Sequence, residues 1–330
     1  MILGLVEHDR GKLNPLSLEM LTYARRLAEQ LATPLEAVLI EPGAGPVAAG
    51  LAAYGVSTVH LASHPQLTDY APEAWAQSVN DLMTTLNPEA VLAGGSARGN
   101  EVLAHVAARA DLALAANVLE AQPGEAYAVT RMRWGGSLLE EARLKGAIKL
   151  LTIAPHALVA AAVTAEAVTN PGALTIQPFT PNLSADDLRV QVSSRVEATT
   201  GKVSLAEAAV VVGGGRGVGS AEGFQLLEEL AGLLGGTVGC SRAVTSLGWR
   251  PHLDQVGQTG TRIAPEIYIA CGISGAIQHM VGCKAAKHIL AINTDPNAPI
   301  VQRADYAIIG DLKEVVPAIS ACVREARARS

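Results

Sequence analysis

The sequence predicts an α/β protein of two domains with mostly parallel sheets, and three observations predict it. A chain of 330 residues is too long for one ordinary hydrophobic core, so two cores are the default expectation. In both halves short aliphatic or β-branched runs alternate with longer stretches of helical period, the order that gives parallel strands covered by helices. Between the halves, Pro178 to Thr200 is rich in Pro, Ser, Asp and Thr without a sustained apolar period, and reads as a linker. The expected domains are therefore 1–196 and 197–330, with the boundary near Glu197.

In chain order, the first half carries strand candidates at Ile2 to Val6, Glu36 to Ile40, Thr58 to Ala62, Ala90 to Ala93, Tyr127 to Met132 and Ala147 to Ile153. Leu16 to Leu31 sets Leu18, Leu21, Ala24, Leu27, Ala28 and Leu31 at helical spacing, and Ala71 to Leu86 and Asn100 to Ala108 are further helices. The second half repeats the alternation with strands at Ala209 to Val212, Thr237 to Gly239, Ile267 to Ala270, Ile289 to Ile292 and Tyr306 to Ile309. Its helices are expected at Ala221 to Leu234, Ala276 to Gly282 and Leu312 to Ala326.

Composition excludes some functions. Only 17% of residues are charged and 49% are apolar, so the interior is large. Aromatics at 3% and a net charge of −6 argue against nucleic acid, which selects for basic stripes and stacking rings. Met1 to Val6 meets Glu7, His8 and Asp9 at once and reads as a first strand, not a secretory signal. The most apolar later stretch, Ile148 to Val168, is interrupted by Lys149, Pro155 and His156 and cannot cross a bilayer unbroken. The protein is expected to be soluble and not membrane-embedded. Cys240, Cys271, Cys283 and Cys322 form no Cys-x-x-Cys pair, so no metal site is signalled, and reduced thiols in the cytoplasm are the simplest reading.

Polar turns locate the chemistry. In the first half, Gly94-Gly95-Ser96-Ala97-Arg98-Gly99 follows a strand and opens a helix, which suits either an anion or a plain change of direction. Arg131, Arg133, Trp134, Gly135 and Gly136 form a second polar turn, open to another chain or to a ligand. In the second half such turns come in a run: Val210-Val211-Val212-Gly213-Gly214-Gly215-Arg216-Gly217, Cys240-Ser241-Arg242, Val256-Gly257-Gln258-Thr259-Gly260, Ser274 to His279, and Ala291-Ile292-Asn293. Most sit where an apolar strand ends, the edge at which open α/β sheets hold ligands. They suit a dinucleotide, with groups for a pyrophosphate and a flavin ring, better than hydrolytic chemistry. The Rossmann fingerprint fails on spacing, since Gly-x-Gly-x-x-Gly begun at Gly213 meets Val218 and begun at Gly215 meets Ser220.

Pro265-Glu266-Ile267-Tyr268-Ile269-Ala270-Cys271-Gly272-Ile273-Ser274-Gly275-Ala276-Ile277-Gln278-His279, with Ala291-Ile292-Asn293, resembles the signature of electron transfer flavoprotein alpha subunits. Val256 to Gly260, Gly214-Gly215-Arg216-Gly217 and Ser241-Arg242-Ala243 resemble further blocks of that family. The likeness is close over Ala209 to Ser320 and looser over the first half, where Ser96 to Gly99 and Trp134-Gly135-Gly136-Ser137-Leu138 carry it. Two departures stand out. Ser246 occupies a position where many members are acidic, and Cys240 one where a smaller residue is common.

The resemblance implies a C-terminal doubly wound FAD-binding domain, and an N-terminal domain with a nucleotide-hydrolase-like sheet that contacts a beta subunit. Carried over by position, it implies that Ser274, Gly275, Ala276 and Ile277 hold the pyrophosphate at a helix start, with Arg216 reaching phosphate or adenosine oxygens. Asn293 and Asp311, with Leu312 beside them, would bind the adenosine half. Val256 and Gly257 are further cofactor-binding positions, Thr259 offers a hydroxyl near N5, and Gln258 an amide near the ring. Arg242 and His279 supply positive or donor character near N1 and the C2 carbonyl, where a cation favours the singly reduced anionic ring, and Ser241 and Gln278 complete the cofactor-binding set. Thr259, Arg242 and His279 are the redox-tuning residues. Singly, each has a plainer reading: a packed histidine, a salt-bridged arginine, a capping serine. The recurrence of all blocks in one order is what assigns them.

The function so implied is an electron carrier, taking electrons singly from flavin dehydrogenases, such as those acting on acyl-CoA in fatty acid β-oxidation, to a membrane quinone oxidoreductase. A beta subunit holding AMP would be its partner. The alternatives are an electron-bifurcating relative with a second FAD in the beta subunit, and a nucleotide-dependent oxidoreductase or amide hydrolase using the same cleft. For the last, the sequence shows no nucleophile–base pair and no nicotinamide fingerprint.

Overall fold

The aliphatic run Ile2–Leu5 becomes a fully buried strand at the middle of a nine-stranded sheet in the computed structural model, which describes residues 1–134, 138–163, 174–195, 204–206 and 208–329. Strands covered on both faces must be apolar on both. Alternate residues accordingly serve two cores: Ile2, Leu39 and Leu92 pack with Met20, Leu21 and Leu27 of the helix Pro15–Gln30. Leu3, Val38 and Val91 pack with Val79 and Leu82 of Pro72–Leu86 and with Leu103 and Val106 of Ala97–Ala110.

Across the sheet the order is Thr175–Phe179, Thr58–Ala62, Leu35–Ile40, Ile2–Leu5, Ala90–Gly94, Lys149–Ile153, Leu114–Gln122, Tyr127–Arg133, Leu138–Leu144. Neighbours pair in parallel as far as Leu114–Gln122, and the last two strands are added antiparallel. Successive strands run outward from Ile2–Leu5 on one side, and the order reverses between Ile2–Leu5 and Ala90–Gly94. A doubly wound sheet opens a crevice at such a reversal.

Three strands of this sheet escaped the sequence reading. Leu114–Gln122 breaks its register in a bulge and carries Asn117 at φ 56°, so its apolar alternation is interrupted. Leu138–Leu144 is mostly exposed and contains Glu140, Glu141 and Arg143. Thr175–Phe179 includes Pro178, expected in the linker; it is an edge strand, where proline's missing N–H is tolerated. The helix expected from Asn100 starts at Ala97 because Ser96 accepts the Gly99 N–H at its cap. The helix expected from Ala221 starts at Phe224.

Contacts group Met1–Arg195 as one unit and Val196–Ser330 as another; the boundary expected near Glu197 falls outside the described residues. The second unit is a five-stranded parallel sheet in the order Thr237–Cys240, Val210–Gly214, Ile267–Cys271, His288–Asn293, Tyr306–Ile309. Phe224, Leu227 and Leu230 of Phe224–Leu234, with Leu312 and Val316 of Leu312–Arg329, cover one face. Met280, Ile300 and Val256 cover the other. This is a doubly wound α/β unit whose order reverses between Val210–Gly214 and Ile267–Cys271. Among the described residues no helix is long and apolar enough to cross a membrane.

Candidate functional site

The order reversal of the second sheet is built from glycines. A Cβ on Gly215 would lie 2.1 Å from the Gly272 carbonyl oxygen, and one on Gly217 would lie 2.7 Å from the Gly272 Cα. Only hydrogen side chains let these two strand-end loops touch. They are tied by Gly215 N–H to Cys271 O at 2.9 Å and Gly217 N–H to Gly272 O at 3.1 Å. Gly275, at φ 82°, is similarly closed in, its would-be Cβ 2.4 Å from the Ile300 nitrogen.

Above these turns lies a cavity of about 800 Å³, within the roughly 300–1,000 Å³ of ligand pockets. Arg216 comes to it from the first strand's loop, and Ser241 and Arg242 from the second. Val256, Gly257, Gln258 and Thr259 line it from the following loop. Ser274, Ala276, Gln278 and His279 line it from the turn and short helix after Ile267–Cys271, and Asn293 from the end of His288–Asn293. The Gln258 N–H donates to the Gln278 carbonyl at 2.7 Å, stitching two of these loops together.

Four predicted positions lie outside the lining. Gly275 is a buried turn residue, and Ile277 is 63% exposed at the helix start. The Asp311 carboxylate accepts the Lys313 N–H at 2.9 Å and so serves the start of the last helix. Leu312 is packed in the core beside Val316. Asn293 does line the cavity, yet both ends of its amide are engaged, Nδ2 with the Ile273 carbonyl at 2.9 Å and Oδ1 with the Asp295 N–H at 3.0 Å. It shapes the loop that carries it. Gly135, Gly136 and Ser137 of the other predicted turn fall outside the described residues.

The electrostatics divide the predicted tuning residues. Arg216 and Arg242 are exposed, and among the described residues neither pairs with a carboxylate. Ser246 is itself part of the lining and offers Arg242 no charge. Ser241 stands at a helix cap without using its hydroxyl for capping. His279 differs from the cation expected: it is buried, its Nε2 is 2.8 Å from the Tyr268 hydroxyl, and among the described residues its Nδ1 makes no hydrogen bond of good geometry. Burial pushes its pKa down to about 4, only partly offset by the Val256 backbone, so near neutral pH the ring is uncharged and the positive charge rests with the arginines. Burial also pushes the Cys240, Cys271 and Cys283 thiols up to about 12, so none is a nucleophile.

Sequence reasoning missed Gln255. It is 1% exposed, lines the cavity, and lies between Thr245 and Thr259. One amide just before a glycine-rich block has no periodic signal to find it by.

The first unit's equivalent edge is arranged otherwise. Ser96 caps Ala97–Ala110 and donates its hydroxyl to the Glu7 carboxylate, so an internal anion already stands where the helix start would attract one. Arg98 lies over the Tyr70 ring at 4.7 Å and 4.0 Å from Asp9. Arg195 joins Asp69 and Asp9. The hollow there, lined by Leu5, Glu7, Trp75 and Arg98, encloses almost no free volume.

Among the described residues no cluster of three His, Cys, Asp or Glu could hold a metal. The second unit's site is therefore an open cleft with hydroxyls, glycines that admit close approach and cations that pair with no carboxylate among the described residues, and these fit a flavin dinucleotide.

Comparison with known proteins agrees with that fit. The family described as "Electron transfer flavoprotein domain" matches residues 2–174, and "Electron transfer flavoprotein FAD-binding domain" matches residues 204–284. The electron transfer flavoprotein subunit alpha of Thermoanaerobacterium thermosaccharolyticum is 34% identical over 95% of this chain and 94% of its own length. Protein FixB of Clostridium saccharobutylicum is 37% identical over 97% of this chain and 95% of its own. The subunit alpha of Clostridium acetobutylicum is 36% identical over 97% and 96%.

Proposed function

The chain belongs to the electron transfer flavoprotein alpha-subunit family, and from that premise we propose that it carries electrons singly from flavin dehydrogenases, such as those acting on acyl-CoA, to a membrane quinone oxidoreductase. The observation that carries this reading is a pair of arginines, Arg216 and Arg242, that meet no carboxylate among the described residues and stand on a glycine-built cleft at the sheet's order reversal. FAD, when bound, supplies the one-electron chemistry. The residues of this chain do the rest. Arg216 and the turn at Ser274 to Ala276 face the phosphates, where the backbone N–H groups of Ile277 and Gln278 open the short helix Ile277–Cys283. Arg242 and the hydroxyls of Ser241 and Thr259 face the ring, the arginine biasing the site toward added negative charge. His279, neutral and held by Tyr268, shapes the ring site without charging it.

The family implies a beta subunit. We place its contact on the antiparallel edge of the first unit, where Trp134 is 79% and Leu139 69% exposed, since exposed large apolar groups near one another mark interaction surfaces. The beta subunit would hold AMP. Three cysteines buried as thiols support a reducing compartment such as the cytoplasm.

Counting FAD and AMP in the purified heterodimer tests the reading. One FAD and one AMP is the expected result. A second FAD in the beta subunit would favour a bifurcating relative, and a colourless protein that takes up no added FAD would overturn the flavin reading.

A further inference from the structure

The cleft holds one polar relay that binding and charge leave unexplained. The Thr245 hydroxyl oxygen lies 2.9 Å from the Arg242 carbonyl oxygen and 2.8 Å from Gln255 Oε1, while Gln255 Nε2 lies 2.9 Å from the Thr259 hydroxyl oxygen. Thr245 has one hydroxyl proton and two oxygens competing for it.

Two arrangements of protons fit these heavy-atom positions, because the two ends of a glutamine amide can exchange places by a half-turn. In the first, Thr245 donates to Gln255 Oε1 and the amide N–H donates to Thr259. The Thr259 proton is then free for the cleft, and the Arg242 carbonyl goes without the Thr245 proton. In the second, the amide N–H donates to Thr245, Thr245 donates to the Arg242 carbonyl, and Thr259 donates to Oε1. Thr259 then offers the cleft only lone pairs.

We propose that Gln255 is a positioning residue whose two amide orientations set whether Thr259 meets the bound flavin as donor or as acceptor. This rests on the cleft holding a flavin ring, as proposed above. A ring nitrogen without a proton is matched by the first arrangement, and one that carries a proton by the second. The exchange is confined to three side chains. Gln255 has the geometry for it: its backbone is held by His252 O and Thr261 N–H, and its side chain is enclosed between the two threonines.

The test uses the heterodimer loaded with FAD labelled with 15N at N5. In the oxidised wild type the N5 signal should sit in the hydrogen-bonded range. Gln255→Glu, followed from about pH 7 to about pH 10 because burial raises a carboxyl above its ordinary range, presents only acceptors once ionised and then draws the Thr259 proton to itself. Its N5 signal should move to the position given by Thr259→Val. A signal left at the wild-type position overturns the proposal.

A second measurement guards against a misfolded glutamate variant. The loss of one hydrogen bond should weaken FAD binding about fivefold in Thr259→Val and about threefold in Gln255→Met. If Gln255 acts through Thr259, the double variant binds no more weakly than Thr259→Val alone. Multiplying effects would overturn the proposal. A wild-type heterodimer that holds no FAD would instead overturn the reading beneath it.

Discussion

The chain contains two large sheets, mostly parallel, each with a crevice where its strand order reverses, and the two crevices are finished in opposite ways. In the first unit, Glu7 answers Ser96, and Arg98 and Arg195 lie against Asp9 and Asp69. In the second unit, Arg216 and Arg242 border about 800 Å³ of open space and pair with no carboxylate among the described residues. The same architecture thus gives a structural edge when its charges are matched within the chain, and a binding edge when they are left over. Position in the fold offers the site, and incomplete pairing makes it one.

This contrast can be broken or sharpened by measurement, beginning with the largest expected effect. The second unit contains a buried histidine kept neutral. His279 is lowered to about 4 in the folded chain against roughly 6.5 when unfolded, so below the unfolded value the unfolded chain binds the extra proton. Stability from this group is complete above about pH 6.5 and is lost as pH falls toward 4, amounting to about 3 kcal/mol. Urea unfolding should show that slope in the wild type and lose it in His279→Gln. An unchanged slope would mean that the ring is not kept neutral by burial.

The unpaired cation comes next. A unit charge at about 4 Å with an effective dielectric of about 20 is worth roughly 4 kcal/mol, or at most about 170 mV for one electron. Arg242 is exposed, and screening reduces this to several tens of millivolts. Arg242→Ala should lower the flavin's first midpoint potential by that amount in a spectroelectrochemical titration. No change would remove the arginine from the electrostatics of the ring.

The smallest effect belongs to the closed edge. Glu7→Gln weakens the charge-assisted bond to Ser96 and should destabilise the first unit by about 1 kcal/mol, seen as a lower unfolding midpoint, while flavin absorbance stays constant. Loss of flavin from this variant would break the division between a structural and a binding edge.

Much of this was legible in the sequence for a simple reason. Strands such as Ile267–Cys271 are apolar runs closed by glycine, and the glycines at 215, 217 and 275 stand where chain meets chain too closely for any other residue. The missed strands failed on the same logic. Leu138–Leu144 and Thr175–Phe179 are edge strands with exposed polar or proline residues, so no apolar run marks them. Charge state was less legible than position. His279 sits on the cleft as expected, but its proton is governed by Tyr268 and the surrounding core, eleven residues and more away in sequence. Whether Arg242 finds a carboxylate is likewise a tertiary fact, as is the place of Gln255 between two threonines.

The thiol placement has a practical outcome. Cys240 and Cys271 end the strands beside the crevice and Cys283 ends the short helix Ile277–Cys283, all buried and protonated, whereas Cys322 is exposed on the last helix. A maleimide dye should therefore attach at one known point of the native chain. The second unit comes with a single built-in optical handle, remote in sequence from every cleft residue, for following it during turnover.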